Sequence, residues 1–390
     1  MTPTVRSPHI MILAGEPSGD LHGANLVHSL KKLAPELKIT GIGGDGMAHR
    51  GMELFFHIKQ LSVMGLTEVL LQFRTIKKAF YLFKEQVRTT KPDLIILIDY
   101  PGFNLRAAEF AKKNGVAVLY YITPKVWAWK RSRLKTIKRV VNHAALIFPF
   151  ESAMFRKEGI PSTFVGHPLL DIYPDTMVSH RSGDDGDFII GLLPGSRENE
   201  ISALLNTMVE SAVLIKERIK NVRFLISAAP TVDHQRMEQI IAPHNQDHLF
   251  TLVKGTPQAI FDRADLLVAA SGTVTLEAAI CGVPMIIVYK VSSLTFFIGS
   301  IFVRLKHVGL ANIIAGHEVV PELLQERATP EKIAQTTVSL LNRQKLGQMR
   351  ARLLMIRKLL GGKGASLRTA RLALDLLRTR DLKQKNPFSL

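Results

Sequence analysis

The sequence predicts an α/β protein with two doubly wound domains, each built on a parallel sheet, and with further helices toward the C-terminus. Apolar runs of strand length alternate with helical patterns, as they do when helices cover both faces of a parallel sheet. A strand, a glycine turn and a helix open the chain, and the same series recurs near its middle. The length of 390 residues is also more typical of two domains than of one.

The first half of the chain supplies the strands of one predicted sheet. They are expected at 9–15, 38–43, 94–98, 116–122, 144–148 and 163–165. Residues 41–46 match G-x-G-x-x-G, but they follow the second strand and not the first, so we interpret them as a loop. The turn 16–20 follows the first strand, and Asp99 ends the strand 94–98. Ligands of such sheets bind beyond the carboxyl ends of the strands, which makes both places candidate sites.

The segment from Leu61 to Val87 carries apolar residues at helical spacing, with basic residues along its other sides. One interpretation is a helix that packs on the core and presents its lysines to solvent. The other is an interfacial helix, whose apolar side enters a lipid layer while its lysines lie among the headgroups. The pattern alone allows both.

A polar, turn-rich linker at 166–187 separates the two halves. It contains Asp185 and Asp187, an Asp-x-Asp pair of the kind that holds a metal in some sugar-nucleotide enzymes. Both acids precede a strand, in flexible composition, and do not lie at a strand's carboxyl end. We therefore expect no metal site there, and the sequence indicates no cofactor.

The second half begins with the buried strand 188–193, a Pro-Gly-Ser turn and a helix that Arg197 opens. Backbone amides at such a turn, with the helix dipole behind them, bind anions, and the guanidinium suits phosphate oxygens. Further strands are expected at 222–227, 249–253, 266–269 and 285–288. A second glycine turn at 271–273 leads into another helix, with Thr273 available as its cap. From residue 329 onward the pattern is almost entirely helical.

A net charge of +18 and a sequence pI near 10.0 indicate an anionic partner. Basic residues alternate with large apolar ones and no nucleic-acid-binding motif is recognisable, so we expect a membrane surface and no nucleic acid. No apolar run reaches the ~18 residues that cross a bilayer, and we expect no signal peptide. The single Cys281 cannot form an internal disulfide, which fits a reducing cytoplasm.

Several short motifs together resemble the lipid-A-disaccharide synthase family of inverting GT-B glycosyltransferases. In the family's order they are Ala14-Gly-Glu-Pro-Ser-Gly-Asp20, Asp99-Tyr-Pro-Gly-Phe-Asn104, Pro124-Lys-Val-Trp-Ala-Trp129, Gly166-His-Pro168, Leu193-Pro-Gly-Ser-Arg197, Ser271-Gly-Thr273 with Leu276-Glu277, Asn312-Ile-Ile-Ala-Gly316 and Glu322-Leu-Leu-Gln325. Together they cover nearly the whole chain. One departure is Ala311, because the family usually has proline before this asparagine, and the rigidity of that loop is therefore in question.

The resemblance implies two Rossmann-like domains that face each other across a cleft. Residues 1–167 would form the acceptor-side domain, 168–360 the UDP-sugar-binding domain, and 361–390 a helical tail that packs back on an N-terminal domain. The donor would be UDP-2,3-diacylglucosamine and the acceptor 2,3-diacylglucosamine 1-phosphate, called lipid X. The products would be the β-1′,6-linked disaccharide 1-phosphate of lipid A biosynthesis and UDP, formed with inversion and without a metal.

On the acceptor side, the resemblance assigns the general base to Asp99, which would take the proton of the attacking hydroxyl. A helix-capping aspartate is the alternative for this residue. The other acceptor-side candidates are Glu16, Ser18, Asp20 and Asn104. A plain turn and helix cap would also explain the first three, and Glu16 or Asp20 would be the base if Asp99 is not.

On the donor side, Arg197 would hold the diphosphate, and the backbone amides around Gly195 and Ser196 would assist it. The residues that would add helix N-terminal donors are Ser271, Gly272 and Thr273. Glu277 would accept ribose hydroxyls, unless it is an ordinary surface glutamate. Further candidates for contacts with the nucleotide are Asn312 and Gln325.

Both substrates carry two acyl chains, which gives the basic, apolar segments a purpose. The stretch from Leu61 to Val87 and a second one from Leu294 to Lys306 would form one apolar patch rimmed by positive charge. We expect a cytoplasmic protein bound peripherally to the inner leaflet of the inner membrane of a Gram-negative bacterium. A homodimer is also compatible with the sequence.

Three other classes of protein compete with this interpretation. A UDP-N-acetylglucosamine 2-epimerase would use the same nucleotide pocket and need no acyl surface. Another GT-B transferase with a lipid acceptor, such as the one that acts in peptidoglycan synthesis, would share the architecture. A basic nucleic-acid binder without catalysis would leave the paired glycine turns unexplained. Release of UDP only when a lipid acceptor is present separates the synthase from the epimerase.

Overall fold

The computed structural model describes residues 7–61, 69–128, 131–173, 187–230, 232–245, 248–290 and 306–385. Two compact units are distinguished within the chain. The first combines Met1–Asp171 with Leu360–Leu390, and the second is Ile172–Leu359. Each unit contains one parallel sheet flanked by helices.

In chain order, the strands are β1 His9–Ala14, β2 Lys38–Gly43, β3 Glu53–His57, β4 Leu94–Ile98, β5 Ala117–Tyr121, β6 His143–Leu146, β7 Ser162–Phe164, β8 Phe188–Leu193, β9 Val222–Ala228, β10 Phe250–Lys254, β11 Leu266–Ala270, β12 Met285–Tyr289 and β13 Glu322–Leu324. The helices are α1 Pro17–Leu33, α2 Asp45–His49, α3 Val69–Thr90, α4 Pro101–Lys113, α5 Arg133–Val140, α6 Glu151–Lys157, α7 Glu198–Arg218, α8 His234–Ile241, α9 Gln258–Phe261, α10 Thr273–Ile280, α11 Leu310–Ala315, α12 Pro330–Leu340, α13 Arg343–Leu359 and α14 Ala365–Lys385.

The first sheet has the strand order β3-β2-β1-β4-β5-β6-β7, and all its neighbouring pairs are parallel. Its central strands β1 and β4 are buried along their whole length, because helices cover both faces of a parallel sheet. Strand order reverses between them, so the turns that follow them diverge and leave a crevice at the carboxyl edge. The sequence analysis missed β3, a short edge strand that is only partly buried.

The second sheet has the order β10-β9-β8-β11-β12-β13 and is also parallel throughout. Its order reverses between β8 and β11, which are the strands that precede the two glycine turns singled out in the sequence. Both turns therefore lie at the switch point of this sheet. The sequence analysis missed β13, which has only three residues.

One face of α3 belongs to the core of the first unit. Ala79, Phe83 and Val87 are buried in the apolar cluster beneath the sheet, as the core-facing interpretation predicts. Phe73 and Tyr81 remain exposed, by 54% and 67%, so the helix also presents aromatic side chains at its surface. Residues 62–68 of the segment from Leu61 to Val87, and residues 291–305 of the stretch from Leu294 to Lys306, lie outside the described residues.

The C-terminal helix α14 belongs to the first unit, where it packs against α1. The carboxylate of Asp171 accepts hydrogen bonds from the backbone amides of Gly364, Ala365 and Ser366, at 2.6, 3.3 and 3.0 Å. These bonds satisfy amides at the start of the helix that have no partner within it. Among the helices of the described ranges, none is long and apolar enough to cross a membrane.

Candidate active site

Asp99 lies at the switch point of the first sheet, directly after β4. Asp99 and Tyr100 both have a left-handed backbone, with φ of 46° and 45°. That conformation costs a residue with a side chain of order 1–3 kcal/mol. Two side chains hold the Asp99 carbonyl in place: Asn104 Nδ2 donates to it at 2.7 Å and Tyr120 Oη at 2.9 Å. Strain that the surrounding fold maintains in this way is typical of functional sites.

The carboxyl group of Asp99 does not cap α4, because the helix begins at Pro101 and its N-cap residue is Tyr100. Burial raises the pKa of Asp99 above its ordinary value, and the charge of Glu16 raises it further. The charge of Lys125 and a hydrogen bond from the Tyr100 amide oppose this increase. A carboxylate with a raised pKa is the stronger base, so this environment suits proton abstraction.

Glu16 stands on the turn after β1, and its charge raises the pKa of Asp99 and of the Tyr100 hydroxyl. The ring of Tyr100 packs directly on Gly15, where a Cβ atom would lie 2.2 Å from the ring carbon Cδ1. Glycine is therefore required at position 15, and the turns after β1 and β4 are in contact. Ser18 is exposed in the first turn of α1.

Asn104 is buried and joins the ends of the two central strands. Its Nδ2 atom donates to the carbonyls of Leu13, Ile98 and Asp99, at 3.4, 3.1 and 2.7 Å. Asn104 also lines a narrow, mostly apolar recess beside the turn after β1, together with Leu13 and Phe103. The structure therefore brings Asn104, Glu16 and Asp99 together at one edge of the sheet.

Asp20 has a structural role that the sequence analysis did not recognise. Its carboxylate accepts hydrogen bonds from the backbone amides of Gly44, Gly46 and Met47, at 2.7, 2.9 and 3.1 Å. A Cβ atom at Gly44 or Gly46 would lie within 3 Å of this carboxylate, which explains why these two residues are glycines. Asp20 thus fills the amide nest that the motif forms, and these three bonds favour a structural role over the suggestion of Asp20 as an alternative base.

At the switch point of the second sheet, the turn after β8 holds a carboxylate of its own chain. The Ser196 amide donates to Glu200 Oε2 at 2.9 Å, and Arg197 Nη1 lies 3.2 Å from Glu200 Oε1. Gly195 has φ of 126°, and a Cβ atom there would lie 2.4 Å from Glu200 Oε2. The amide and guanidinium groups that the sequence assigns to a diphosphate are therefore arranged around an anion.

The turn after β11 lies next to it along the sheet. The N-cap residue of α10 is Gly272, which corrects the expectation that Thr273 caps this helix. Gly272 has an ordinary extended backbone with φ of 179°, and a Cβ atom there would meet nothing within 4 Å. Ser271 and Gly272 precede the free amides at the start of the helix. None of the described residues of this unit requires glycine at 272, which leaves room for a ligand close to the backbone.

Glu277, one turn into α10, is partly buried and is not a plain surface residue. Tyr173 Oη donates a hydrogen bond to its Oε2 atom at 2.9 Å. Burial raises the pKa of Glu277, and the bond from Tyr173 opposes this. Tyr173 comes from the linker, and no feature of the sequence predicted its contact with a residue more than 100 positions away.

Asn312 organises a loop of the second unit. Its amide donates to Val320 O at 2.8 Å and Glu322 Oε1 at 2.7 Å, and its Oδ1 accepts from the amides of Val319 and Val320. The Asn312 side chain is fully buried, so any contact of this loop with a nucleotide would come from other groups. Glu322 also accepts from the amides of Val308 and Gly309, at 2.9 and 3.0 Å.

The helix residue Ala311 is buried and follows Leu310, the first residue of α11. Hydrogen bonds of Glu322 and Asn312 hold this loop, although alanine stands where the family usually has proline. Gln325 is buried and has a left-handed backbone with φ of 51°. It begins a short 3₁₀ turn after β13.

No group of three or more histidine, cysteine, aspartate or glutamate side chains suited to a metal occurs among the described residues. Asp187 forms an ion pair with Arg223 at 2.8 Å, and Asp185 lies outside the described residues. Asp187 immediately precedes β8, so it lies at the start of a strand and not at a strand's carboxyl end.

The sequence as a whole matches a known family. The model of the family described as lipid-A-disaccharide synthetase matches residues 10–372. This chain belongs to the lipid-A-disaccharide synthetase family. The lipid-A-disaccharide synthase of Geobacter sulfurreducens is 40% identical over 377 residues, which are 95% of this chain and 98% of the relative. The predicted family, and with it the prediction of a glycosyltransferase, are confirmed.

Solved structures with low sequence identity share the fold of this family member. MurG of Acinetobacter baumannii has a TM-score of 0.62 and 17% identity, with 94% of this chain and 99% of that chain covered. A UDP-GlcNAc 2-epimerase of Neisseria meningitidis, solved with UDP-GlcNAc, has a TM-score of 0.64 and 12% identity, with 94% and 100% covered. The predicted α/β fold of the GT-B class is confirmed.

Some residues of this family member acquire a role only from the structure. Tyr173, Glu200 and Glu322 each contact a candidate site residue, and none was singled out for a role in the sequence. For Glu200 a signal existed, because a glutamate three residues after a helix N-cap commonly bonds back to the preceding turn. Glu151, a buried acid next to aromatic residues, also lacks an assigned role.

Proposed function

We propose that this chain transfers the diacylglucosaminyl group of UDP-2,3-diacylglucosamine to the 6-hydroxyl of lipid X, with inversion and without a metal. The observation that carries the proposal is Asp99, a partly buried carboxyl group with a raised pKa on a strained backbone at the switch point. Membership of the lipid-A-disaccharide synthetase family supplies the substrate class. The donor and acceptor are proposed from that family resemblance.

Asp99 acts as the general base in this proposal. The acceptor's 6-hydroxyl gives its proton to the Asp99 carboxylate while its oxygen bonds to the anomeric carbon of the donor. The bond from that carbon to the diphosphate breaks on the opposite face, and its electron pair leaves with UDP. One displacement inverts the configuration and needs no covalent intermediate. The Asn104 amide supports the step by fixing the Asp99 carbonyl.

The diphosphate binds at the turn after β8 and the start of α10. The Ser196 amide and the Arg197 guanidinium now surround the Glu200 carboxylate, so both groups already point toward an anion. Bound diphosphate replaces Glu200 on these donors, and the turn 271–273 adds the free amides of α10. Because charge grows on the leaving group during the reaction, these donors stabilise the transition state more than the bound donor.

Glu277 accepts the ribose hydroxyls in this proposal. Its Oε2 atom already accepts a hydrogen bond from the Tyr173 hydroxyl at 2.9 Å, a geometry that a ribose hydroxyl would reproduce. Glu277 has two carboxylate oxygens, so it serves both partners or exchanges Tyr173 for the sugar. On the acceptor side, Glu16 lies near Asp99, and a hydroxyl of the acceptor sugar is its expected partner.

The protein binds peripherally to an anionic lipid surface, on the cytoplasmic side of the inner membrane, through α3 and the residues before it. Phe73 is exposed and Lys77 Nζ lies 4.4 Å from the centre of its ring, which sets a cation beside an apolar group. Tyr81 is exposed as well, whereas Phe83 is fully buried and unsuited to contact with lipid. Salt should therefore weaken binding to phosphatidylglycerol vesicles, and replacing Phe73 and Tyr81 by serine should weaken it further.

The decisive experiment is an incubation of the purified protein with UDP-2,3-diacylglucosamine, with and without lipid X. The proposal requires UDP and a disaccharide 1-phosphate, identified by mass, only when lipid X is present, at the same rate with and without EDTA. An epimerase would interconvert the donor without acceptor, and a transferase with a different acceptor would leave lipid X unchanged. Loss of turnover in EDTA with rescue by magnesium would refute the metal-independent mechanism.

A further inference from the structure

The turn after β5, residues 123–128, lies beside Asp99 and has no role in the proposed mechanism. β5 pairs with β4 in register Ile98 to Tyr121, and the Asp99 amide donates to the carbonyls of Tyr121 and Ile122 at 3.4 and 3.2 Å. The turn is tight, because the Val126 amide donates to Pro124 O at 2.6 Å. The chain thus leaves β5 next to the candidate base.

A buried carboxyl group anchors this turn. Glu151 is only 1% exposed, and its Oε1 atom accepts a hydrogen bond from Trp127 Nε1 at 3.2 Å. Its Oε2 atom accepts from the Phe148 amide at 3.1 Å. The indole ring of Trp127 also meets Phe150 edge-on, with ring centres 5.2 Å apart. Trp127 is therefore fixed by ring contacts and by a carboxylate at its only polar atom.

This anchor has a thermodynamic disadvantage that a purely apolar contact would avoid. Burial raises the pKa of Glu151 to about 7, although bonds from Phe148 and Trp127 favour its charged form. The fold therefore keeps a carboxyl group where its ionisation is disfavoured. What this carboxyl group provides is the hydrogen bond that fixes Trp127, and with it the turn.

The residue whose position the turn determines is Lys125. Its neighbour Val126 is 2% exposed and packs into the core, whereas Lys125 is exposed. The charge of Lys125 acts on Asp99, whose pKa it lowers against the effects of burial and Glu16. The same charge adds to burial and His22 in lowering the pKa of His167. Lys125 is exposed three residues after Ile122, whose carbonyl accepts a hydrogen bond from the Asp99 amide, so the turn presents the Lys125 side chain close to the base.

We propose that Glu151 is a positioning residue that acts through Trp127 to hold the Lys125 ammonium beside Asp99, where Lys125 binds a phosphate group of the acceptor. The inference rests on the proposed function, which has an acceptor with a phosphate monoester. A compact cation next to the base neutralises that phosphate. It also keeps Asp99 ionised while the two acids Glu16 and Asp99 lie close together.

The first test replaces Lys125 by methionine, with K113M at the exposed end of α4 as the matched control. K125M should raise the KM for lipid X about 10-fold, the effect of losing one charge-assisted hydrogen bond, and leave the KM for the donor unchanged. With an acceptor that lacks the phosphate, K125M and the unmodified protein should have equal KM values. An unchanged KM for lipid X in K125M, or an equal loss in K113M, would overturn the proposal.

The second test asks whether Glu151 acts through Lys125. E151Q and W127F should each raise the KM for lipid X a few-fold at pH 8, and both effects should vanish in the K125M background. Equal effects of E151Q with and without Lys125 would show that Glu151 supports the fold only, and so would refute its positioning role. Melting temperatures accompany each variant. If E151Q does not fold, W127F alone decides, because it removes only the indole N–H and part of the ring.

A third measurement needs no turnover and so separates this inference from the proposed function. The pKa of Asp99, followed by carbon NMR of its labelled carboxyl group, should rise in K125M and stay unchanged in K113M. Among the described residues, the other ionisable groups that interact with Asp99 are Glu16 and the Tyr120 hydroxyl, which these variants retain. A raised pKa of Asp99 in K125M, together with no disaccharide product from the unmodified protein, would support the position of Lys125 beside Asp99 and would refute lipid X as the acceptor. An unchanged pKa would refute the placement.

Discussion

In the first unit, the turns after β1 and β4 present the carboxylates of Glu16 and Asp99, whereas in the second unit the turns after β8 and β11 present backbone amides and Arg197. Both pairs of turns occupy the point where strand order reverses in a parallel sheet. The fold therefore provides the same crevice twice. The residues that line each crevice differ, so the crevice of the first unit suits proton transfer and that of the second unit suits anion binding.

Two acids of the first unit, Asp20 and Asp99, differ in their immediate contacts, and this difference gives them different roles. Asp20 lies in the first turn of α1, directly after the turn that follows β1, but three backbone amides satisfy its carboxylate. The carboxylate of Asp99 receives one amide hydrogen bond and is affected most by burial, which raises its pKa. Burial disfavours the charged form of Asp99 and so strengthens it as a base, whereas the oxygen atoms of Asp20 are already taken by three amide donors. Asp20 is thus suited to structure and Asp99 to proton transfer.

Replacing the base should produce the largest effect. Asp99→Asn keeps the shape but cannot accept the proton, so kcat should fall about 10²–10⁴-fold while UDP affinity stays the same. In the unmodified protein, the raised pKa of Asp99 should place the acid limb of the kcat/KM profile above the ordinary range of aspartate, with activity lost as pH falls through that pKa. The measurements are kcat, UDP affinity by calorimetry and melting temperature. A folded variant with near-normal kcat would transfer the role to Glu16.

Removing the cation of the second unit should be the next most harmful change. Arg197→Ala should lower kcat about 10²-fold and raise the donor KM less, because the guanidinium contributes most as charge develops on the leaving group. Arg218→Ala, at the opposite end of α7, is the matched control and should leave both constants unchanged. Steady-state kinetics with varied donor distinguishes the two effects. A rise in donor KM alone would mean that Arg197 binds substrate without assisting its departure.

Alanine substitutions at one glycine of each unit should have different effects, on stability in the first unit and on UDP binding in the second. Gly15→Ala would force a methyl group against the Tyr100 ring and should lower the melting temperature, whereas Gly272→Ala meets open space at an ordinary φ and should not. Gly272→Ala should instead weaken UDP binding roughly 10-fold, about 1.4 kcal/mol, since a ligand close to the backbone leaves no room for a methyl group. Calorimetry and thermal unfolding are measured on both variants. Normal UDP affinity in Gly272→Ala would place the diphosphate elsewhere.

The smallest effect concerns the internal anion of the second unit. Glu200→Gln removes the charge that competes for the Ser196 amide and Arg197, so UDP affinity should increase a few-fold, by less than about 1 kcal/mol. The glutamine still bonds to the Ser196 amide, which preserves the turn. Titration with UDP at low and high salt measures the change. Weaker binding would mean that Glu200 arranges the turn for the ligand and does not compete with it.

The pattern of apolar runs was sufficient to predict the central strands, because β1, β4, β8 and β11 are buried on both faces and are almost wholly apolar. The edge strand β3 escaped prediction, since its apolar run is only three residues long and is flanked by charged or polar residues. Candidate residues next to central strands, such as Asp99 and Arg197, were likewise visible in the sequence.

Partnerships between distant residues were not visible. Asp20 and Gly44 are 24 positions apart, and Tyr173 and Glu277 are 104 apart, so no local pattern connects them. The same holds for Trp127 and Glu151, which lie in the connections that follow the neighbouring strands β5 and β6. Sequence patterns identify side chains that are capable of a reaction. Only the structure shows which of these side chains already have hydrogen-bond partners within the fold.

The position of α14 affects the order in which the protein can be made. α14 completes the first unit, and its first amides bond to Asp171, which precedes Gly364 by 193 residues. A ribosome therefore releases the entire second unit before the helix that covers α1 emerges. The second unit can fold on the ribosome, while the first unit waits with the buried face of α1 open to water or to a chaperone. Deleting the residues after Leu359 should for the same reason damage the N-terminal unit and spare the second one.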